Sequence, residues 1–158
     1  MTALDPPARS RREALALGLG TVAAITLRPV AAEAATRTES TQEAIRRFTG
    51  EAAIGPGRIH LDLPPLVENG NAVTITVMVD SPMTPEDHVR RIAVFNDKNP
   101  QPNVITAHLG PSAGRAALTT RIRLADTQRI TAIAETSDGR YWSTTADAIV
   151  TLAACLEG

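Results

Sequence analysis

From Ile59 onward the chain alternates. Ile59, Leu61 and Leu63 are interleaved with His60 and Asp62, and Val73, Ile75, Val77 and Val79 with Thr74, Thr76 and Met78. A period of two sends one row of side chains to a core and the other to solvent, as in a half-buried strand. Further short apolar runs follow at 92–95, 104–109, 117–124, 130–135, 140–144 and 148–152. Turn chemistry separates several of them: Asn96-Asp97-Lys98-Asn99-Pro100, Gly110-Pro111-Ser112-Ala113-Gly114 and Ser137-Asp138-Gly139. Many short strands at this spacing predict an antiparallel β-sandwich. Arg121 and Arg123 share one face of their run while Thr120, Ile122 and Leu124 share the other, as a sheet with one solvated side requires.

Before the strands the period changes. Ser40-Thr41-Gln42-Glu43 reads as a capping box, Ala44, Ile45 and Phe48 lie at helical spacing, and Gly50 is a natural stop. One short N-terminal helix is therefore expected. Glu68-Asn69-Gly70-Asn71 is turn chemistry with glycine available for positive φ. Asp80-Ser81-Pro82-Met83-Thr84-Pro85 breaks a strand, and Thr84 with Pro85 has the form of a single helical turn.

The first 34 residues are of another kind. Arg11 and Arg12 precede a modest apolar run at 14–27, and Val30-Ala31-Ala32-Glu33-Ala34 supplies a small-residue cleavage site. This is the form of a twin-arginine export signal, with delivery to the periplasm. The run is too short and too weakly apolar to span a bilayer, and no membrane association is expected after cleavage. Cleavage removes four of the 16 basic and three of the 17 acidic residues, leaving a net charge of about −2. Such a balance gives no electrostatic reason for nucleic acid as a partner. The expected organisation is an export signal at 1–34, a helical extension at 35–57, a sandwich at 58–152 and a flexible C-terminal arm at 153–158.

Export changes the meaning of the chain's single cysteine, Cys155. An oxidising compartment usually goes with paired cysteines, so one that stands alone is a reactive handle, a link to another chain, or inert. It lies in Ala153-Ala154-Cys155-Leu156-Glu157-Gly158, and an enzyme thiol would want an electropositive setting that Glu157 does not offer. His60, His88 and His108 are far apart, each without a second ligand at metal spacing, so no metal or cofactor is expected. Asp87 and His88 are adjacent, which rarely aims two side chains at one point. Of Tyr141 and Trp142, one is expected to pack into the sandwich and the other to meet solvent or a partner.

The order of motifs carries a resemblance. Leu61-Asp62-Leu63-Pro64-Pro65, Glu68-Asn69-Gly70-Asn71, Val79-Asp80-Ser81-Pro82-Met83, Asn99-Pro100-Gln101-Pro102, Arg121-Ile122-Arg123-Leu124-Ala125 and Ala134-Glu135-Thr136-Ser137-Asp138-Gly139 precede Val150-Thr151-Leu152 and the cysteine tail. From about Ile59 onward this resembles SoxY, the sulfur-carrier subunit of periplasmic thiosulfate oxidation. The resemblance implies an immunoglobulin-like sandwich, a heterodimer with a SoxZ-like subunit, and covalent attachment of thiosulfonate and persulfide intermediates at Cys155. It implies three enzymatic partners: a c-type haem protein that loads thiosulfate, a dimanganese hydrolase that releases sulfate, and a molybdenum sulfane dehydrogenase. The carrier itself would perform no turnover. The family's usual ending is Gly-Gly-Cys-Gly-Gly, whereas here Ala153 and Ala154 precede the cysteine and Leu156, Glu157 and Gly158 follow it. The alternative function is an exported sandwich that binds a partner without carrying sulfur.

Overall fold

The computed structural model describes residues 39–154. The expected export signal with Arg11 and Arg12, and the tail residues Cys155, Leu156, Glu157 and Gly158, lie outside the described residues. Helix α1 (Thr41–Thr49) begins with the capping box. The Ser40 hydroxyl accepts from the Glu43 N–H at 3.2 Å, and the Glu43 carboxylate accepts from the Ser40 N–H at 2.9 Å. Gly50 closes the helix in the left-handed region at φ 61°, its N–H donating to the Arg46 carbonyl at 2.8 Å. Arg46 and Arg47 face solvent while Ala44 and Phe48 are buried.

Among the described residues nine strands follow: β1 (Ile54–Pro56), β2 (Ile59–Asp62), β3 (Leu66–Val67), β4 (Val73–Val79), β5 (Val89–Asn96), β6 (Asn103–His108), β7 (Ala117–Ile122), β8 (Gln128–Thr136) and β9 (Tyr141–Val150). They form two sheets, one ordered β1-β9-β8-β5-β6 with β3 also on β9, the other β2-β4-β7. The sandwich expected from the alternation is present. Ile75 and Val77 of the small sheet meet Ile92, Val94, Ile130 and Ala132 of the large one, with Leu124 closing one end. β5 and β8 read as near-continuous apolar runs because both their faces are covered. On the outer face Ala93, Phe95, Ile133 and Tyr141 form a second core under Ala44 and Phe48 of α1. The helix is thus built into the fold rather than appended to it. Arg91 fastens it further: its guanidinium lies 4.5 Å over the Phe48 ring, donates to the Phe48 carbonyl at 3.3 Å and pairs with the buried Glu135.

Four local expectations are corrected. The runs at 140–144 and 148–152 are one ten-residue strand, β9, because Thr145 and Asp147 between them point to solvent and keep the alternation intact. The sheet pairing is not wholly antiparallel: β1 and β3 both lie parallel to β9, and neither is long enough to show a period in sequence. Thr84 and Pro85 start no helical turn. Instead the Thr84 N–H donates to the Asp87 carbonyl at 2.9 Å and the Asp87 N–H to the Thr84 hydroxyl at 3.1 Å, closing a loop after Met83 at φ 52°. Gly70 is not among the glycines at positive φ. Its role is steric and belongs to the site described next.

Candidate functional site: the root of the cysteine tail

β9 carries the chain toward Cys155, and the small strand β3 guides it out of the sheet. Leu66 lies beside Ile149 and Val67 beside Val150. Beyond the strand the Thr151 N–H donates to the Val67 carbonyl at 2.9 Å, and the Thr151 hydroxyl reaches the carbonyls of Val67 and Glu68 at 3.1 and 3.2 Å. The 68–71 turn then takes hold. Its shape is set by Asn69, whose side-chain oxygen accepts from the Asn71 N–H at 2.9 Å.

At the centre of this arrangement is Gly70. Its N–H donates to the Leu152 carbonyl at 2.8 Å, and its own carbonyl accepts from the Leu124 N–H at 2.8 Å. The Leu124 carbonyl in turn accepts from the Ala154 N–H at 2.9 Å. Three separate stretches of backbone therefore meet around one residue without a side chain. A Cβ on Gly70 would stand 2.4 Å from the Leu124 oxygen and 2.9 Å from the Ala154 nitrogen, so only glycine fits. We call this arrangement the clasp. It holds the chain to the residue immediately before the cysteine: Ala153 is exposed, but Ala154 is buried at 8% exposure. The backbone contacts of the fold thus continue two residues past the expected sandwich boundary at Leu152.

The other candidate residues are not brought together. His60 and Asp80 form an exposed pair at 3.1 Å, the His88 Nδ1 lies 3.1 Å from the Thr84 carbonyl, and His108 is exposed at the end of β6. Asp87 turns from His88 to Arg58 at 3.4 Å. Among the described residues no group of three or more His, Cys, Asp or Glu is placed to hold a metal ion. Tyr141 and Trp142 leave β9 on opposite faces, Tyr141 under α1 and Trp142 against the main core with Arg58 and Arg140 each 5.6 Å from its ring. Arg121 and Arg123 are exposed, Arg121 opposite Thr74 on the solvent side of the small sheet, and neither makes an ion pair among the described residues. Asp138 at the β8–β9 turn has a displaced titration. The Thr136 hydroxyl bonded to it at 2.6 Å, followed by Arg140, lowers its pKa to about 2. The clasp residues Gly70 and Leu124 carry no chemistry of their own; the only sequence signal for them was the Asn-Gly-Asn turn.

A family model described as "Sulfur oxidation protein SoxY" matches residues 45–155, a span that covers α1 in part, every strand, the clasp and Cys155. The chain belongs to the SoxY family. Among solved structures it is similar to the sulfur carrier protein SoxY from Chlorobium limicola f thiosulfatophilum, with 23% identity, 70% of this chain and 96% of that one covered, and a TM-score of 0.59. The sandwich is also similar to two superoxide reductases. The neelaredoxin from Ignicoccus hospitalis has 15% identity, coverage of 60% and 80%, and a TM-score of 0.54. The enzyme from Nanoarchaeum equitans has 12% identity, coverage of 60% and 99%, and a TM-score of 0.52. These likenesses are of fold. No match is found among the curated proteins compared. As a SoxY-family protein the chain is a sulfur carrier rather than a catalyst. No helix among the described residues is long and apolar enough to cross a membrane.

Proposed function

We propose that Cys155 is the covalent attachment point for sulfur during thiosulfate oxidation, in a periplasmic complex with a SoxZ-like subunit reached by the twin-arginine route. The observation that carries this reading is the family match, which runs to Cys155 itself and takes in the strands and turns that hold the preceding residue. In loading, the cysteine sulfur and the sulfane sulfur of thiosulfate form a bond. The thiol gives up its proton, and two electrons pass to the oxidising c-type haem protein. The product is a cysteine S-thiosulfonate. Attack of water on its terminal sulfone in the dimanganese hydrolase then releases sulfate and two protons and leaves a persulfide on Cys155. The sulfane dehydrogenase acts on that persulfide. In each step the chain's own task is to present one sulfur atom from a fixed base.

The test is intact-mass spectrometry of the exported chain after incubation with thiosulfate and the oxidising haem protein. A mass increase that a Cys155→Ser variant lacks is the expected result. A wild-type chain that gains no mass, while its thiol still reacts with iodoacetamide, refutes the carrier reading and leaves an exported binding module.

A further inference from the structure

Asn69 precedes the glycine on which the clasp depends, and the pair has a chemistry of its own. In an Asn-Gly pair the glycine nitrogen can attack the asparagine side-chain carbonyl carbon, because no Cβ on the following residue stands in the way. A carbon–nitrogen bond forms, the side-chain nitrogen leaves as ammonia, and a cyclic succinimide closes. Water then opens the ring at either carbonyl and leaves aspartate or isoaspartate at residue 69. One water is taken up for each ammonia released, with no oxidant and no enzyme.

The fold demands this pair and also restrains it. Glycine is required at 70 because a Cβ there would stand 2.4 Å from the Leu124 oxygen. Asn69 shapes the turn through its side-chain oxygen, which accepts from the Asn71 N–H and from the Asn71 side-chain amide, each at 2.9 Å. Asn69 is exposed, so water and base reach it. The attacking nitrogen is not free: Gly70 is buried, and its N–H donates to the Leu152 carbonyl at 2.8 Å. Attack requires that proton to leave and the 69–70 peptide to turn toward the Asn69 side chain. The same rotation carries the Gly70 carbonyl away from the Leu124 N–H. Both bonds belong to the clasp, so the reaction runs from its open state.

From these constraints we infer that Asn69 is a site of spontaneous isoaspartate formation gated by the clasp, and that its conversion makes opening of the tail root one-way. In isoaspartate the backbone passes through the former side chain and gains a methylene. Gly70 is bonded to Leu152 on one side and to Leu124 on the other, in a place with no room for even a Cβ. The longer link displaces it, the clasp does not re-form, and Leu152 and Ala154 stay released. The aspartate product keeps the ordinary backbone and still offers Asn71 an acceptor, so that isomer retains the clasp. This inference rests on the clasp geometry and is independent of what Cys155 carries.

The test incubates folded wild type, Thr151→Val and Ala154→Pro in mildly alkaline buffer made with heavy-oxygen water, beside a free peptide of residues 66–73. Thr151→Val removes the hydroxyl bonds to the Val67 and Glu68 carbonyls, and Ala154→Pro removes the N–H bonded to Leu124. Peptide mass spectrometry follows label entering residue 69 and separates the two isomers, while hydrogen exchange follows the Gly70 amide. Wild type should convert at least about tenfold more slowly than the free peptide. Each variant should gain conversion in the same ratio as it gains Gly70 exchange, about three- to tenfold, with the β5–β8 amides still protected. The isolated isoaspartate form should lose protection at the Leu124 and Ala154 amides, and the aspartate form should keep it. Wild type converting at the peptide's rate overturns the gating. So does a variant whose Gly70 amide exchanges faster while Asn69 converts at the wild-type rate. An isoaspartate form whose Ala154 amide is as protected as in wild type overturns the one-way opening.

Discussion

Gly70→Ala is the sharpest perturbation of the clasp, because a single methyl group meets two backbone atoms that are themselves bonded. At 2.4 Å from the Leu124 oxygen and 2.9 Å from the Ala154 nitrogen, the new Cβ falls inside distances that real Cβ atoms avoid. The 68–71 turn or the tail root must move. Neither neighbour is the free end of a side chain that could swing aside. Overpacking of this kind costs about 1–3 kcal/mol. Displacing the root also strains the bonds from Gly70 to Leu152, Leu124 to Gly70 and Ala154 to Leu124, each worth about 0.5–1.5 kcal/mol net. Relaxation that opens one bond relieves part of the clash, so the two contributions do not simply add. A loss of about 2–4 kcal/mol in unfolding free energy is expected. Urea denaturation measures it, and amide hydrogen exchange locates it: protection at Ala154 and Leu124 should fall far more than protection in the β5–β8 pairing. An unfolding free energy within about 0.5 kcal/mol of wild type, with the Ala154 amide as protected as before, would show that the root is not held in this way.

Two further outcomes follow from the fold. Arg91→Ala strips the guanidinium from the Phe48 ring and the Phe48 carbonyl and leaves Glu135 buried without its cation, so a loss of about 3 kcal/mol is expected in thermal or denaturant melts; Arg91→Lys, which keeps the charge but not the planar fork, should recover only part of it. Asp138, with its pKa lowered to about 2 in the fold against about 3.9 in an unfolded chain, contributes stability that is complete above pH 4 and lost as pH falls toward 2. Its side chain is 41% exposed, so screening holds the contribution below about 1 kcal/mol. Asp138→Asn should lower the neutral plateau by that contribution, less than about 1 kcal/mol, and flatten the acid limb, so that the variant and wild-type profiles converge as pH falls toward 2.

The strands of the sandwich were legible because most of them have one wet face. In β4, Val73, Ile75, Val77 and Val79 are buried and the residues between them are exposed or half-buried, so the register is written in the period. The capping box of α1 was legible for a related reason: its two partners are three residues apart, and a local bond leaves a local signature. β1 and β3 were not legible. They are three and two residues long, and what makes them strands is the edge of β9, far away in sequence. The same is true of the tail root. Cys155 stands out as the only cysteine, but the atoms that hold its predecessor belong to Gly70 and Leu124, and backbone carbonyls and amides have no residue type to read. The Asn-Gly pair suggested a turn with positive φ; the glycine is required instead because three backbones converge on it.

This difference bears on how such a carrier works. Ordering one residue's backbone costs about 1–2 kcal/mol, so each free residue between anchor and sulfur weakens docking by an amount comparable to a hydrogen bond. Glycines before the cysteine give a long, permissive arm that meets that cost at every visit to a deep pocket. Here Ala153 and Ala154 narrow the backbone choices, and the clasp has already ordered the chain through Ala154 within the folding of the domain. Reach is exchanged for preorganisation. A carrier built this way meets its partners with the root already ordered, and its partners should distinguish it from a glycine-armed carrier by pocket depth. Replacing Ala153 and Ala154 together by glycine probes that exchange. Loading by an enzyme with a shallow site should fall, as the root loses order, while loading by one with a deep channel should rise. A variant that loads faster from both would show that the stiffness of this root serves no partner.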